Sequence, residues 1–204
     1  GLIEISEVPA PSPRVAGVLD GLIVLDDIVT EVGDPMLISP LPIDRRGEEG
    51  ALAEWMTLAG SGPQRIVLPG MRTIDERGGK ASRRRGATLT LPGRELFLTS
   101  CSLMSAGAET LLLSRWRVGG ESMVNLTREF VQELPFAAPA DAWQRSVQLA
   151  RETPIDPLSE LRVKTDRDEA PLTASHPFFW SGYLVLDTGA PPPKESTDEE
   201  LIAN

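Results

Sequence analysis

From residue 64 onward the chain alternates short apolar runs with longer amphipathic ones, and this alternation constrains the fold more than any other feature. Residues 64–68, QRIVL, are an apolar run closed by Pro69-Gly70 and read as a strand. Residues 93–108, GRELFLTSCSLMSAGA, have the apolar spacing of a buried helix, with Gly107 placed to cap its end. Residues 109–116, ETLLLSRW, make the next strand. Residues 120–134 and 139–152 repeat apolar residues at i, i+3 and i+4, as amphipathic helices do. Residues 176–189, HPFFWSGYLVLDTG, read as a last, aromatic-rich strand. This order implies a mainly parallel sheet covered on both faces, a three-layer α/β/α sandwich.

Upstream of residue 64 the signals are shorter. Residues 21–32, GLIVLDDIVTEV, read as a buried strand and the loop after it, and residues 35–42, PMLISPLP, as a short strand stopped by proline at both ends. Residues 47–60 place Leu52, Trp55, Met56 and Leu58 near helical spacing behind an acidic first turn. Three prolines in residues 1–14 suggest an extended arm. Residues 77–86, RGGKASRRRG, read as a solvated loop, and residues 189–204 as a polar, acidic tail without enough apolar surface to order itself. The globular unit is expected to span residues 15–188.

Composition narrows the function classes. The 204 residues carry a net charge of −10, which argues against a general nucleic-acid or anionic-membrane binder, because phosphates would be repelled. No apolar run approaches the roughly 20 residues of a spanning helix, and no signal-peptide pattern opens the chain. One cysteine permits no internal disulfide and suits a reducing, cytoplasmic setting. The chain opens on Gly1, which we read as a processed product or a piece of something longer.

The candidate reactive groups are few. Residues 66–73, IVLPGMRT, run from a strand into a tight turn, a common place for a nucleophile in α/β enzymes, yet the residue expected at the exposed tip is Met71. A thioether cannot become a thiolate and cannot attack. Nucleophilic catalysis of the Cys–His or Ser–His–Asp kind needs an imidazole, and His176 is the only one. Cys101 lies within a helical pattern and is expected to be a buried, inert thiol. Asp26 and Asp27 follow a strand and could form an acid–base or metal pair, although two solvated carboxylates are the commoner case. No His/Cys/Asp/Glu cluster has metal-ligand spacing, and no phosphate or dinucleotide loop follows a strand, so no metal and no cofactor is expected.

Four stretches together, LPGMRT (68–73), LMSAGAETLLLSRWRV (103–118), REFVQEL (128–134) and HPFFWSGYLVL (176–186), resemble the C-terminal part of the CHAT domain, a caspase-like peptidase family. That family has a strand ending in Leu-Ser-Ala-Cys-Glu-Thr, a helix ending in Ala-Gly-Ala, a strand closing on Ser-Leu-Trp and a last strand opening His-Pro-x-x-Trp. The resemblance sets Pro69 on Ser, Gly70 on Ala and Met71 on the nucleophilic Cys. It sets Asp26 or Asp27 near the place of the family's His-Gly base, and Gly119-Gly120 where acidic residues usually follow the Trp. It therefore implies a caspase-like fold that has lost both halves of its dyad. The expected function is a catalytically inactive, pseudo-peptidase module that binds or regulates a protein or peptide partner, as the C-terminal part of a larger protein. The alternative is an active cysteine peptidase that pairs Cys101 with His176 in a rearranged site.

Overall fold

In the computed structural model, residues 12–28, 34–41, 50–58, 60–71, 93–160 and 173–189 are described. Their centre is a four-stranded sheet in the order β1-β2-β3-β4, built from Gly21–Ile23, Arg65–Leu68, Thr110–Ser114 and Tyr183–Asp187. The first three strands run parallel, and β4 runs antiparallel to β3. Every residue of β3 is buried, as expected of a central strand covered on both faces.

Strand alternation sorts the core into two layers. Ile66, Leu68, Leu111 and Leu113 face one side, where they pack with Leu52 and Trp55 of α2 (Leu52–Trp55) and with Leu96 and Leu103 of α3 (Arg94–Ser105). Val67 and Leu112 face the other, against Phe130 of α4 (Gly120–Glu133), the adjoining Leu134 and Ala142 of α5 (Pro139–Glu152). Each such side chain stabilises the fold by about 1.5–3 kcal/mol through burial. A third cluster, with Val118, Met123 and Phe179 at its centre, closes the carboxyl end of β3.

Two glycines let the layers close. Gly107 takes a positive φ of 117° after α3 and donates its N–H to the Met104 carbonyl, while Ala108 donates to Leu103. A Cβ at Gly182 would lie 2.4 Å from the Trp116 ring, whose Nε1 donates to the Phe178 carbonyl at 3.1 Å. The first set of bonds turns the end of α3 into β3, and the Trp116 contacts fasten the exit of β3 to the entry of β4.

Several local expectations are corrected. The described part of 35–42, residues 35–41, contains no strand: Pro35–Leu37 is a 3-10 turn, because Asp34 caps it at the Met36 N–H and Pro35 sits at its first position. The apolar run instead supplies a single deep core residue, Ile38, through that turn. Among the described residues of 47–60 the helix covers Leu52–Trp55 and is followed by a 3-10 turn at Met56–Leu58. The last strand begins at Tyr183, since Pro177–Phe179, capped by His176, forms another 3-10 turn. Pro13–Ala16, in part assigned to the arm, is one helical turn, α1, capped by Ser12. Residues 1–11, the 77–86 loop and the tail from 190 lie outside the described residues.

Candidate functional site

The carboxyl ends of β1 and β2, where open α/β sheets usually bind their ligands, carry Asp26, Asp27 and the Pro69–Met71 turn. The sheet pairing does not stop there. Ile28 bridges Met71 in parallel, and its N–H donates to the Gly70 carbonyl at 3.1 Å. Gly70 makes this approach possible: a Cβ there would lie 1.9 Å from the Asp26 carbonyl oxygen. At the end of β3, the buried Ser114 hydroxyl donates to the carbonyl of Pro69 at 2.7 Å and to that of Met71. The turn is therefore clamped from both neighbouring strands.

Met71 is not at an exposed tip. Its relative exposure is 0 %, and it belongs to the core layer of Leu68, Leu103 and Leu113. The continued pairing with Ile28 turns the residue inward, which a strand-then-turn reading of IVLPGMRT could not anticipate. Beside the turn lies a cavity of about 170 Å³ lined by Asp26, Asp27, Pro69, Gly70, Arg117 and Gly119, among others. That is below the usual range for small-molecule sites, roughly 300–1,000 Å³.

The charges in this cavity are committed. The Asp26 carboxylate accepts the Asp27 N–H at 2.7 Å, and the Asp27 carboxylate pairs with Arg117 Nη1 at 3.1 Å. Sequence reasoning did not single out Arg117, whose role follows only from the fold bringing β1 and the β3 exit together. Among the described residues no thiol, hydroxyl nucleophile or imidazole lines the cavity. Among the described residues no group of three His/Cys/Asp/Glu side chains could hold a metal ion.

Cys101 is exposed, which corrects the expectation of a buried thiol. The buried stripe of α3 runs through Leu96, Thr99, Ser100 and Leu103, and Cys101 falls outside it. His176 is also exposed and is held locally, with Nδ1 accepting the Phe178 N–H at 3.2 Å. The structure does not bring the two together. The helix of Cys101 packs on the Leu111–Leu113 face, whereas the turn after His176 packs with Met123 and Ala150 on the α4–α5 side. The sheet lies between them.

A carboxylate does reach the Gly119-Gly120 position, from a distant part of the chain. Glu160, only 8 % exposed, accepts the Ser122 N–H at 2.7 Å and the Ser122 hydroxyl at 2.8 Å. It thereby satisfies an orphan donor in the first turn of α4 and opposes the positive end of that helix. A Cβ at Gly120 would come within 2.4 Å of Glu160 Oε2, so the glycine makes room for the carboxylate. Behind it stands Tyr183, whose phenol is pushed well above its ordinary pKa by burial first and by the Glu160 charge second.

No curated protein and no solved structure gives a significant match to the chain. Among the described residues no helix is long and apolar enough to cross a membrane. The family model of the CHAT domain matches residues 52–188, well over half of the sequence, from α2 through β4. With its mostly parallel sheet between two helical layers, the chain belongs to the CHAT domain family.

Proposed function

We propose that this chain is a non-catalytic CHAT module that binds or regulates a protein partner within a larger polypeptide, in a reducing, cytoplasmic setting. One observation carries the reading. The residue that the family resemblance aligns with the nucleophile, Met71, has its side chain sealed in the core. It carries no group that could become a nucleophile, and neither lining aspartate of the neighbouring cavity can replace an imidazole opposite a thiol. Loss of such a dyad leaves only the small residual acceleration that binding and oriented dipoles provide.

The rearranged peptidase is the weaker reading, because Cys101 and His176 sit on elements that cover opposite faces of the sheet. The exposure of Cys101 shows why thiol labelling alone is no test of activity: the folded chain is expected to label there without being an enzyme. The deciding experiment incubates the folded chain with fluorogenic peptides bearing acidic, basic or apolar residues before the scissile bond. No turnover is expected. Turnover of any of them would overturn the proposal, and its disappearance in Cys101→Ser would assign it to that thiol.

A further inference from the structure

Among the described residues no strand lies against the outer side of β1. Its inner side is fixed by the ladder. The Asp20 carbonyl accepts the Arg65 N–H at 3.2 Å, and the Val24 N–H donates to the Val67 carbonyl at 3.0 Å. Backbone groups alternate in direction along a strand, so Leu22 also bonds β2, while Gly21 and Ile23 turn their N–H and C=O groups outward. Side chains alternate as well. Leu22 and Val24 pack in the layer of α2 and α3, whereas Ile23 lies on the opposite face and is 43 % exposed. An open edge beside an exposed apolar side chain is a template for another strand.

The topology selects the segment that fits there. The three parallel strands follow one another across the sheet in chain order. Helices α2 and α3, which lie between them in the chain, both pack on the face of Ile66 and Leu111. Ala16 of α1 is buried in that same layer. A strand ahead of α1, laid on the open edge of β1, therefore repeats the same crossover with the same hand, and parallel connections keep one hand almost without exception. The sequence ahead of α1 suits the place. Ile3 and Ile5 alternate with Glu4 and Ser6, the period of a half-buried strand. Pro9, Pro11 and Pro13, which cannot donate to a ladder, come only after this stretch. Residues 7–20 then supply a connection longer than the roughly dozen residues that parallel strands need.

We propose that residues 2–6 pair in parallel with β1 as a fifth strand, with Ile3 opposite Gly21 and Ile5 opposite Ile23. In this register Gly21 and Ile23 donate to the carbonyls of Leu2 and Glu4, and the Glu4 and Ser6 N–H groups donate back to Gly21 and Ile23. Ile5 then shields the exposed face of Ile23. A strand tethered by so short a connection competes for the edge at an effective concentration on the order of millimolar, which favours it over a strand from another molecule. The inference is independent of the loss of catalysis, since no residue of β1 lines the strand-end cavity.

The test is amide hydrogen exchange of the full chain, read by NMR, against the double variant Glu4→Pro/Ser6→Pro, which removes both ladder donors of the added strand. The Gly21 and Ile23 amides are expected to exchange at least about tenfold faster in the variant, while Leu22 and Val24, bonded to β2, stay within about twofold. Equal exchange of Gly21 and Ile23 in the two proteins would overturn the inference. Acceleration of all four amides alike would do the same, because it marks a loosened β1 rather than a lost neighbour. Protection of Ile23 that rises with protein concentration would give the edge to a second copy and also overturn it. A second measurement needs no substitution: backbone nuclear Overhauser contacts between residues 2–6 and Gly21–Ile23 are expected in the unsubstituted chain, and their absence would refute the pairing directly.

Discussion

The strand-end cavity and a groove of about 420 Å³ between α4 and the carboxyl end of α5, lined among others by Glu121, Glu152 and Glu160, share the first turn of α4 and differ in what their charges do. In the cavity, Asp27 is paired with Arg117 and Asp26 accepts the Asp27 N–H, so both carboxylates have partners within the chain. In the groove, Glu160 accepts two hydrogen bonds from Ser122, and Glu121 and Glu152 are exposed. The difference teaches that one concavity of a fold can have its charges paired within the chain while another keeps carboxylates turned to solvent. Closure at the strand end comes from three cheap devices: a glycine that admits a strand, a serine that ties two carbonyls, and a methionine turned into the core.

The largest expected effect breaks the closed region. Met71→Ala removes a side chain of 0 % exposure from a packed layer and should destabilise the fold by about 2–5 kcal/mol in denaturant titration. Met71→Cys sharpens the same point, because its sulfur should label in the native protein far more slowly than Cys101 does. A neutral Met71→Ala, or rapid labelling at position 71, would mean that the turn is open and that the comparison with the groove fails.

The next two substitutions weigh one region against the other. Glu160→Ala strands the Ser122 N–H at the start of α4 and removes a buried carboxylate with two hydrogen bonds, so it should destabilise by about 1.5–3 kcal/mol. Asp27→Ala breaks an ion pair whose side chains are 29 % and 36 % exposed, and solvent screening limits its effect to about 0.5–1 kcal/mol. If Asp27 proved the more costly of the two, the partly exposed ion pair would outweigh the buried carboxylate and the ranking of the two regions would fail.

What the sequence disclosed and what it concealed follow from the range of the interactions. The strands at 65–68 and 110–114 and the three long helices were legible because burial periodicity is written locally, and the family resemblance rested on those same segments. PMLISPLP misled because an apolar run between prolines serves a turn that delivers one core residue as well as it serves a strand. Cys101 was misplaced because Thr99 and Ser100 occupy the buried stripe of α3, so small polar residues masked where the core face lay. The inward turn of Met71 depends on Ile28, and the groove depends on residues from α4, α5 and position 160. No local pattern marks Glu160, a single carboxylate after a 3-10 turn at Pro157–Ser159.

The smallest effect at neutral pH is the most specific probe of the groove's charge. The Tyr183 ring is partly buried, but its hydroxyl oxygen is inaccessible and has no hydrogen-bond partner among the described residues. Tyr183→Phe should therefore change stability at neutral pH by no more than about 0.5 kcal/mol, since no hydrogen bond is lost. At alkaline pH the two proteins part. The unfolded phenol titrates at the ordinary value of 10.0, while in the folded chain burial and the Glu160 charge hold it higher. Above pH 10 the unfolded state thus binds fewer protons than the native state, and native stability falls as pH rises, by up to about 1.4 kcal/mol per unit. The phenylalanine variant lacks this slope. Because the chain has a single tyrosine, phenolate absorbance reads this group alone. The signal should stay absent from the folded protein through pH 10 and appear on unfolding, and Glu160→Gln should lower its onset. A native phenolate that forms at the ordinary value would remove both the buried phenol and the field of Glu160 upon it.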